Sequence, residues 1–61
     1  MENKKVYLTA QDVCDILGVS KTKAYTIIRA LNRELEAEGY IVISGKVSRK
    51  KLEEKYYGLA L

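Results

Sequence analysis

The chain has 61 residues, with 11 lysines and arginines against 8 aspartates and glutamates, a net charge of +3 and no histidine. This length predicts one small domain over residues 1–61, which leaves little room for an enclosed active-site cavity. Cys14, the single cysteine, cannot form an intramolecular disulfide, and without histidine a structural zinc site is excluded. No apolar run approaches the roughly 20 residues of a membrane span, and the first residues do not resemble a signal peptide, so we expect a cytoplasmic protein.

The first predicted helix is Ala10–Leu17. Thr9 is a suitable N-cap, and Asp12, three residues later, can complete a capping box. Gly18 supplies the left-handed residue that ends a helix. Three apolar side chains of this helix are expected to face the core: Val13, Ile16 and Leu17.

The second predicted helix covers residues 21–38. Ser20 precedes it as N-cap, and Gly39 follows it as the residue that ends it. Its apolar residues recur at the spacing of a helix with one buried face. They are Ala24, Ile27, Ile28, Leu31 and Leu35.

A short hairpin is predicted after the second helix. Residues 40–43 form a β-branched run, which favours a strand. Ser44 and Gly45 would make a two-residue turn into a second strand at residues 46–47. Residues 6–8 are predicted to add a short strand against this hairpin.

The third predicted helix covers residues 49–57, with Ser48 as its N-cap and Leu52 and Tyr56 one turn apart. The order helix, turn, helix, hairpin, helix predicts a mainly helical α+β protein with a winged helix-turn-helix fold.

The first two helices have the spacing of a DNA-binding helix-turn-helix. This motif needs a small residue where the helices cross and a glycine at the turn, and Cys14 and Gly18 stand at those positions. Apolar residues fill the positions that lock the two helices together: Val13, Leu17, Val19, Ala24 and Ile27. Helix-turn-helix geometry also occurs in proteins that bind only other proteins, so the motif alone leaves that alternative open.

Charge placement favours a polyanionic partner. Lysine in the first turn of a helix is disfavoured by about 0.3–1 kcal/mol, because the N-terminus carries a partial positive charge. The second helix nevertheless opens with Lys21 and Lys23 and ends with acidic residues, and the third opens with Arg49, Lys50 and Lys51. Phosphates docked at these helix N-termini would explain the cations.

The candidate DNA contacts lie on the second helix, the hairpin and the third helix. Arginine and threonine can contact base edges in the major groove, whereas lysine mostly contacts phosphate. On the second helix the candidates are Ser20, Lys21, Thr22, Lys23, Tyr25, Thr26, Arg29 and Arg33. On the hairpin and the start of the third helix they are Ser44, Lys46, Arg49 and Lys50.

The segments at residues 7–20, 24–29 and 45–53 resemble the excisionase family, whose members are small winged-helix proteins of phages and integrative elements, related in fold to MerR-type regulators. The resemblance covers residues 6–57, with a longer second helix than many relatives have. It implies a recombination directionality factor that binds adjacent DNA sites, bends the DNA and favours excision by an integrase. It places the recognition positions on Lys21, Thr22, Tyr25, Thr26 and Arg29, and the wing on residues 44–46.

The expected partners are therefore double-stranded DNA, an integrase and neighbouring copies of the same protein. No cofactor, metal or small-molecule substrate is expected, and without histidine the usual general base is missing, so we expect no enzyme. Two alternatives remain. One is a small transcriptional regulator that binds a promoter as a dimer. The other is a protein-interaction adaptor, whose mark would be an exposed apolar patch.

Overall fold

The computed structural model describes residues 6–56 as three helices and two short strands. The elements in chain order are β1 (Tyr7–Thr9), α1 (Ala10–Leu17), α2 (Lys21–Ala37), β2 (Lys46–Ser48) and α3 (Arg49–Lys55). This architecture confirms the predicted α+β winged helix-turn-helix. The predicted end of the third helix at Tyr57 lies outside the described residues. Within residues 6–56, no helix is long and apolar enough to cross a membrane.

Local sequence signals position α1 as predicted. The Thr9 hydroxyl accepts a hydrogen bond from the Asp12 backbone N–H at 3.2 Å, and the Asp12 carboxylate accepts one from the Thr9 backbone N–H at 3.0 Å. These two bonds form the predicted capping box. Gly18 has a φ of 69°, and its N–H donates to the carbonyl of Cys14 at 2.8 Å. The helix therefore ends at a left-handed glycine.

The ends of α2 are also set by its sequence. The Ser20 hydroxyl accepts a hydrogen bond from the Lys23 backbone N–H at 3.2 Å. At the other end, the N–H of Tyr40 donates to the carbonyl of Leu35 at 3.0 Å, and Gly39 has a φ of 94°. This is the pattern of a Schellman motif, which satisfies carbonyls that a helix end leaves unpaired.

One apolar core joins all five elements. Its fully buried centre contains Val13 of α1, Ile28 of α2, Val47 of β2 and Leu52 of α3. The other buried apolar residues are Leu8, Ala10, Ala24, Ile27 and Leu31. Ile16, Leu17 and Leu35, which were predicted to face the core, are only partly buried.

The predicted hairpin is wrong, because residues 40–43 form no strand. β2 pairs instead with β1 in antiparallel register, which places Leu8 opposite Val47. These two side chains are buried, whereas Tyr40 and Ile41 are 63% and 89% exposed. β-branched residues favour strands where a face of the strand packs, and in the run at residues 40–43 only Val42 is partly buried.

The turn before β2 also disfavours a hairpin. The N–H of Lys46 donates to the carbonyl of Ile43 at 3.1 Å, which closes a four-residue turn that we call the wing turn (residues 43–46). Gly45 has a φ of 79°, whereas Ser44 does not have a positive φ. A positive φ at the third position alone fits a type II turn. Two-residue hairpins prefer the mirror-image turn types, because a type II turn splays the flanking strands.

Candidate nucleic-acid interface

The outer face of α2 carries a row of cations. Lys21, Arg29 and Arg33 are exposed, and Tyr25 between them is 46% exposed. Because successive members of this row are four residues apart, each side chain lies beside the next along the helix. None of the three cations forms an ion pair with another side chain of residues 6–56. Their charge is therefore available to a partner.

The first turns of α2 extend this surface. Ser20, Thr22, Lys23 and Thr26 are all exposed, as the sequence predicts for a contact face. The Thr26 hydroxyl donates to the carbonyl of Thr22 at 3.1 Å. This bond fixes the Thr26 side chain and uses its hydroxyl hydrogen, so the oxygen lone pairs and the methyl group remain for a partner.

The fold brings the wing turn beside the cationic row. A surface cleft runs between α2 and the turn, and its lining includes Tyr25, Arg29, Arg33, Glu36, Ser44 and Gly45. Lys46, the last residue of the turn, is exposed. Helix and wing candidates that lie more than ten residues apart in sequence thus form one continuous surface.

Arg49 and Lys50 do not line this cleft. The Arg49 guanidinium lies 2.8 Å from the carboxylate of Glu53, one helical turn away. Lys50 is exposed, but it lines a second cleft together with Tyr7 and Tyr40. The two clefts are divided by Asn32 and Val42, which line both.

Lys51 faces the protein rather than solvent. It is 7% exposed, and its ammonium lies 3.5 Å from carboxylate oxygens of both Glu34 in α2 and Glu38, the C-cap residue of α2. Lys55 lies 3.1 Å from the same oxygen of Glu34. The acidic end of α2 and Lys51 at the start of α3 therefore neutralise each other. For Lys51, therefore, no external polyanion is needed, which corrects the explanation based on sequence alone at this residue.

The pKa values of two groups in this cluster reflect the pairing. A hydrogen bond from Lys55 lowers the pKa of Glu34 below its ordinary value of 4.5; partial burial opposes this shift, and Lys51 adds to it. Burial of the Lys51 ammonium disfavours its charge, but the carboxylates of Glu38 and Glu34 outweigh this and raise its pKa above the ordinary 10.5. Both partners therefore stay charged near neutral pH.

Sequence reasoning missed two residues of the candidate interface. Asn32 is a buried polar residue of α2 whose amide nitrogen donates to the carbonyls of Lys46 at 2.8 Å and Ile43 at 3.3 Å. Its position four residues after Ile28, at the edge of the apolar stripe, is the signal that could have revealed it. Glu36 lines the cleft beside Arg33, so its carboxylate marks an edge where phosphate would be repelled.

Two packed helices, a turn beside the second helix and an exposed cationic row define a winged helix-turn-helix protein. The chain is 57% identical over 53 residues to ICEBs1 excisionase of Bacillus subtilis (strain 168), a match that covers 87% of this chain and 83% of the relative. The chain therefore belongs to the excisionase family, and as a member of that family it is not an enzyme. No protein-family model and no solved structure matches it.

Proposed function

We propose that this chain acts as one small domain that binds duplex DNA and directs an integrase toward excision of a mobile element. In this proposal α2 enters the major groove and the wing turn lies against the flanking backbone. The helix contacts come from Ser20, Lys21, Thr22, Lys23, Tyr25, Thr26, Arg29 and Arg33. The other contacts come from Ser44 and Lys46, with Arg49 and Lys50 as contacts at the edge.

The observation that carries this proposal is the row of unpaired cations on the second helix of a helix-turn-helix. Lys21 and Lys23 stand at the N-terminal end of α2, where they disfavour the helix itself, and neither has an ion-pair partner within residues 6–56. Exposed backbone N–H groups and basic side chains together favour phosphate at such a position. The proposal gives both lysines a role that folding does not.

Five cations supply most of the expected electrostatic binding. They are Lys21, Lys23, Arg29, Arg33 and Lys46. If each neutralises one phosphate, the logarithm of the association constant should fall with the logarithm of salt concentration with a slope of about −4 to −5. In this proposal Arg29 and the threonines contact bases, and the lysines contact phosphate.

The role in recombination rests on family membership. An excisionase acts with an integrase, so we propose that copies of this chain bind adjacent sites near an attachment site and bend the DNA there. Reconstituted excision by the integrase of the same element tests this role. We expect excision to require the chain, and excision at the same rate without it would contradict the role.

Selection from a pool of random duplexes tests DNA binding itself. We expect the recovered sequences to share a motif, with closely spaced direct repeats if copies bind side by side. An inverted repeat would instead indicate a dimeric transcriptional regulator. No enrichment, together with no retention on heparin at low salt, would overturn the proposal of DNA binding.

A second candidate function, that of a protein-interaction adaptor, draws on the exposed apolar residues beside the second cleft. Tyr40 and Ile41 are 63% and 89% exposed, and both line that cleft. These residues lie outside the cationic face of α2, so a protein contact there could accompany DNA binding as well as replace it. Retention on heparin that disappears with moderate salt would favour DNA binding over the adaptor function alone.

A further inference from the structure

The Asn32 amide ties the wing turn to α2. Asn32 is 8% exposed, and its side-chain nitrogen donates to the carbonyls of Lys46 at 2.8 Å and Ile43 at 3.3 Å. An amide nitrogen carries two hydrogens, so both are used. The two acceptors are the first and last residues of the wing turn. One buried side chain thus holds both ends of the turn.

We propose that Asn32 is a positioning residue for DNA binding, which fixes the wing turn so that Lys46 and the α2 face meet DNA as one rigid surface. This inference rests on the proposed function. Asn32 follows Arg29 by three residues and precedes Arg33 by one, so the turn is held at the level of the cations that face the cleft. Asn32 itself need not touch DNA.

Helix stability alone does not account for an amide at this position. Asparagine favours a helix interior less than leucine does, and a buried amide must find hydrogen-bond partners to offset the loss of water. Leucine has the same branched arrangement of non-hydrogen atoms, although it is larger, and would continue the apolar stripe. What asparagine adds is the pair of hydrogen bonds to the wing turn.

In the loop before the turn, at residues 40–43, only Val42 is partly buried. Residues 40–43 form no strand, and Tyr40, Ile41 and Ile43 are exposed, so side-chain packing of these three does not fix the loop. The pairing of Lys46 with Thr9 holds the C-terminal end of the turn on the sheet, and the two bonds from Asn32 join the turn to α2. Loss of these bonds should loosen the turn while the core stays packed.

A double-mutant cycle on DNA binding tests this role. We expect Asn32→Leu to fold and to make the Lys46 amide hydrogen exchange about tenfold faster or more, since that N–H closes the wing turn. The salt slope of DNA binding should fall in magnitude by about 1. Lys46→Ala should weaken binding about threefold or more in the wild type but by less than about twofold in the Asn32→Leu background.

Arg29 provides the matched control. Because Arg29 is fixed by the helix and not by the turn, Arg29→Ala should weaken binding by the same factor with Asn32 or Leu at position 32.

A second variant at position 32 checks that the effect does not come from the larger leucine side chain. Asn32→Ala cannot overfill the site, and it should reduce the effect of Lys46→Ala on binding as much as Asn32→Leu does. If neither position-32 variant folds, Asn32 serves the core and the inference is wrong.

The remaining outcomes separate the inference from the function on which it rests. Wild-type protein that binds no duplex would overturn the proposed function. Wild-type binding with an unchanged salt slope in Asn32→Leu, and an undiminished effect of Lys46→Ala there, would overturn the positioning role and leave DNA binding intact.

Discussion

The ammonium of Lys51 lies 3.5 Å from a carboxylate oxygen of Glu34, which joins the first turn of α3 to the last turn of α2. Each charge is unfavourable in its own helix, because a cation stands near an N-terminus and an anion near a C-terminus. Across the two helices the charges attract each other. This contact assigns the acidic end of α2 to the fold and leaves the cationic face of α2 for a partner.

Removal of the Glu34 charge should change the acid stability of the protein. The pKa of this carboxyl is lowered on folding, mainly by the hydrogen bond from Lys55. Its contribution is therefore complete above the unfolded value of about 4.5 and is lost as pH falls through the lower folded pKa. We expect Glu34→Gln to reduce the free energy of unfolding at pH 7. As pH falls from 7 to 3, the free energy of unfolding of this variant should decrease less than that of the wild type, as measured by urea unfolding.

Glu36→Gln is the matched control for this experiment, since Glu36 is exposed and forms no ion pair within residues 6–56. Its acid profile should follow that of the wild type. The contribution of Lys51 to stability has the opposite pH dependence. Because its pKa is raised on folding, Lys51 stabilises the fold at lower pH, and this stabilisation is lost as pH rises through the folded pKa, which lies above 10.5. Equal acid profiles for wild type and Glu34→Gln would contradict a role for this pair in stability.

Arg29→Ala should reduce both DNA affinity and sequence selectivity. We expect a loss of about 1–3 kcal/mol on the selected motif and a smaller loss on a scrambled duplex, because an arginine that contacts a base edge discriminates between sequences. Lys21→Ala should weaken binding to both duplexes by the same factor. Fluorescence anisotropy at one fixed salt concentration measures both effects.

Lys55→Ala is the control for net charge in the Arg29→Ala experiment. It removes one positive charge at the C-terminal end of α3, where Lys55 pairs with Glu34. It should leave the difference between the two duplexes unchanged. If Arg29→Ala weakened every duplex equally, its assignment as a base-contacting residue would be wrong.

The pairing of β2 with β1 predicts that truncation to alanine will destabilise the protein unequally at two β-branched residues, Val47 and Ile41. Val47 is fully buried opposite Leu8, so Val47→Ala should lower the free energy of unfolding by about 2–3 kcal/mol. Ile41 is 89% exposed, and Ile41→Ala should change stability by less than about 0.5 kcal/mol. Chemical denaturation of both variants checks this difference, and a comparable cost at Ile41 would contradict the observed strand pairing.

Gly18 ends α1 at a φ of 69°, and an added Cβ would meet no atom within 4 Å. The cost of Gly18→Ala therefore comes from the left-handed backbone alone, about 1–2 kcal/mol. Gly18→Asn should cost less, because asparagine tolerates this conformation. Thermal unfolding of the two variants measures the difference, and equal losses would point to a cause other than backbone conformation.

The helices were predictable because their signals are local. Thr9 and Ser20 each cap a helix through a side chain that bonds a backbone N–H three residues away, and Gly18 acts on its own backbone. The apolar stripe of α2 follows from the period of one helix. The exposure of Arg29 follows from the same period, so much of the candidate interface was predictable too.

The strand partner was not predictable in this way. Residues 40–43 have the composition of a strand, but composition does not state which face will be buried. Burial went to Leu8 and Val47, which are 39 residues apart, pair across the two strands and both belong to the apolar core.

By itself, the sequence determined the three helices, the turn between the first two and the cationic face of α2, since each depends on residues within a turn or two of one another. The tertiary structure decided which strands pair, which charges are neutralised and what holds the wing turn. Lys51 meets Glu34, and Asn32 meets Lys46, across 17 and 14 residues respectively, and no local pattern encodes such distances. Contacts of that kind exist only once the apolar core has brought the elements together.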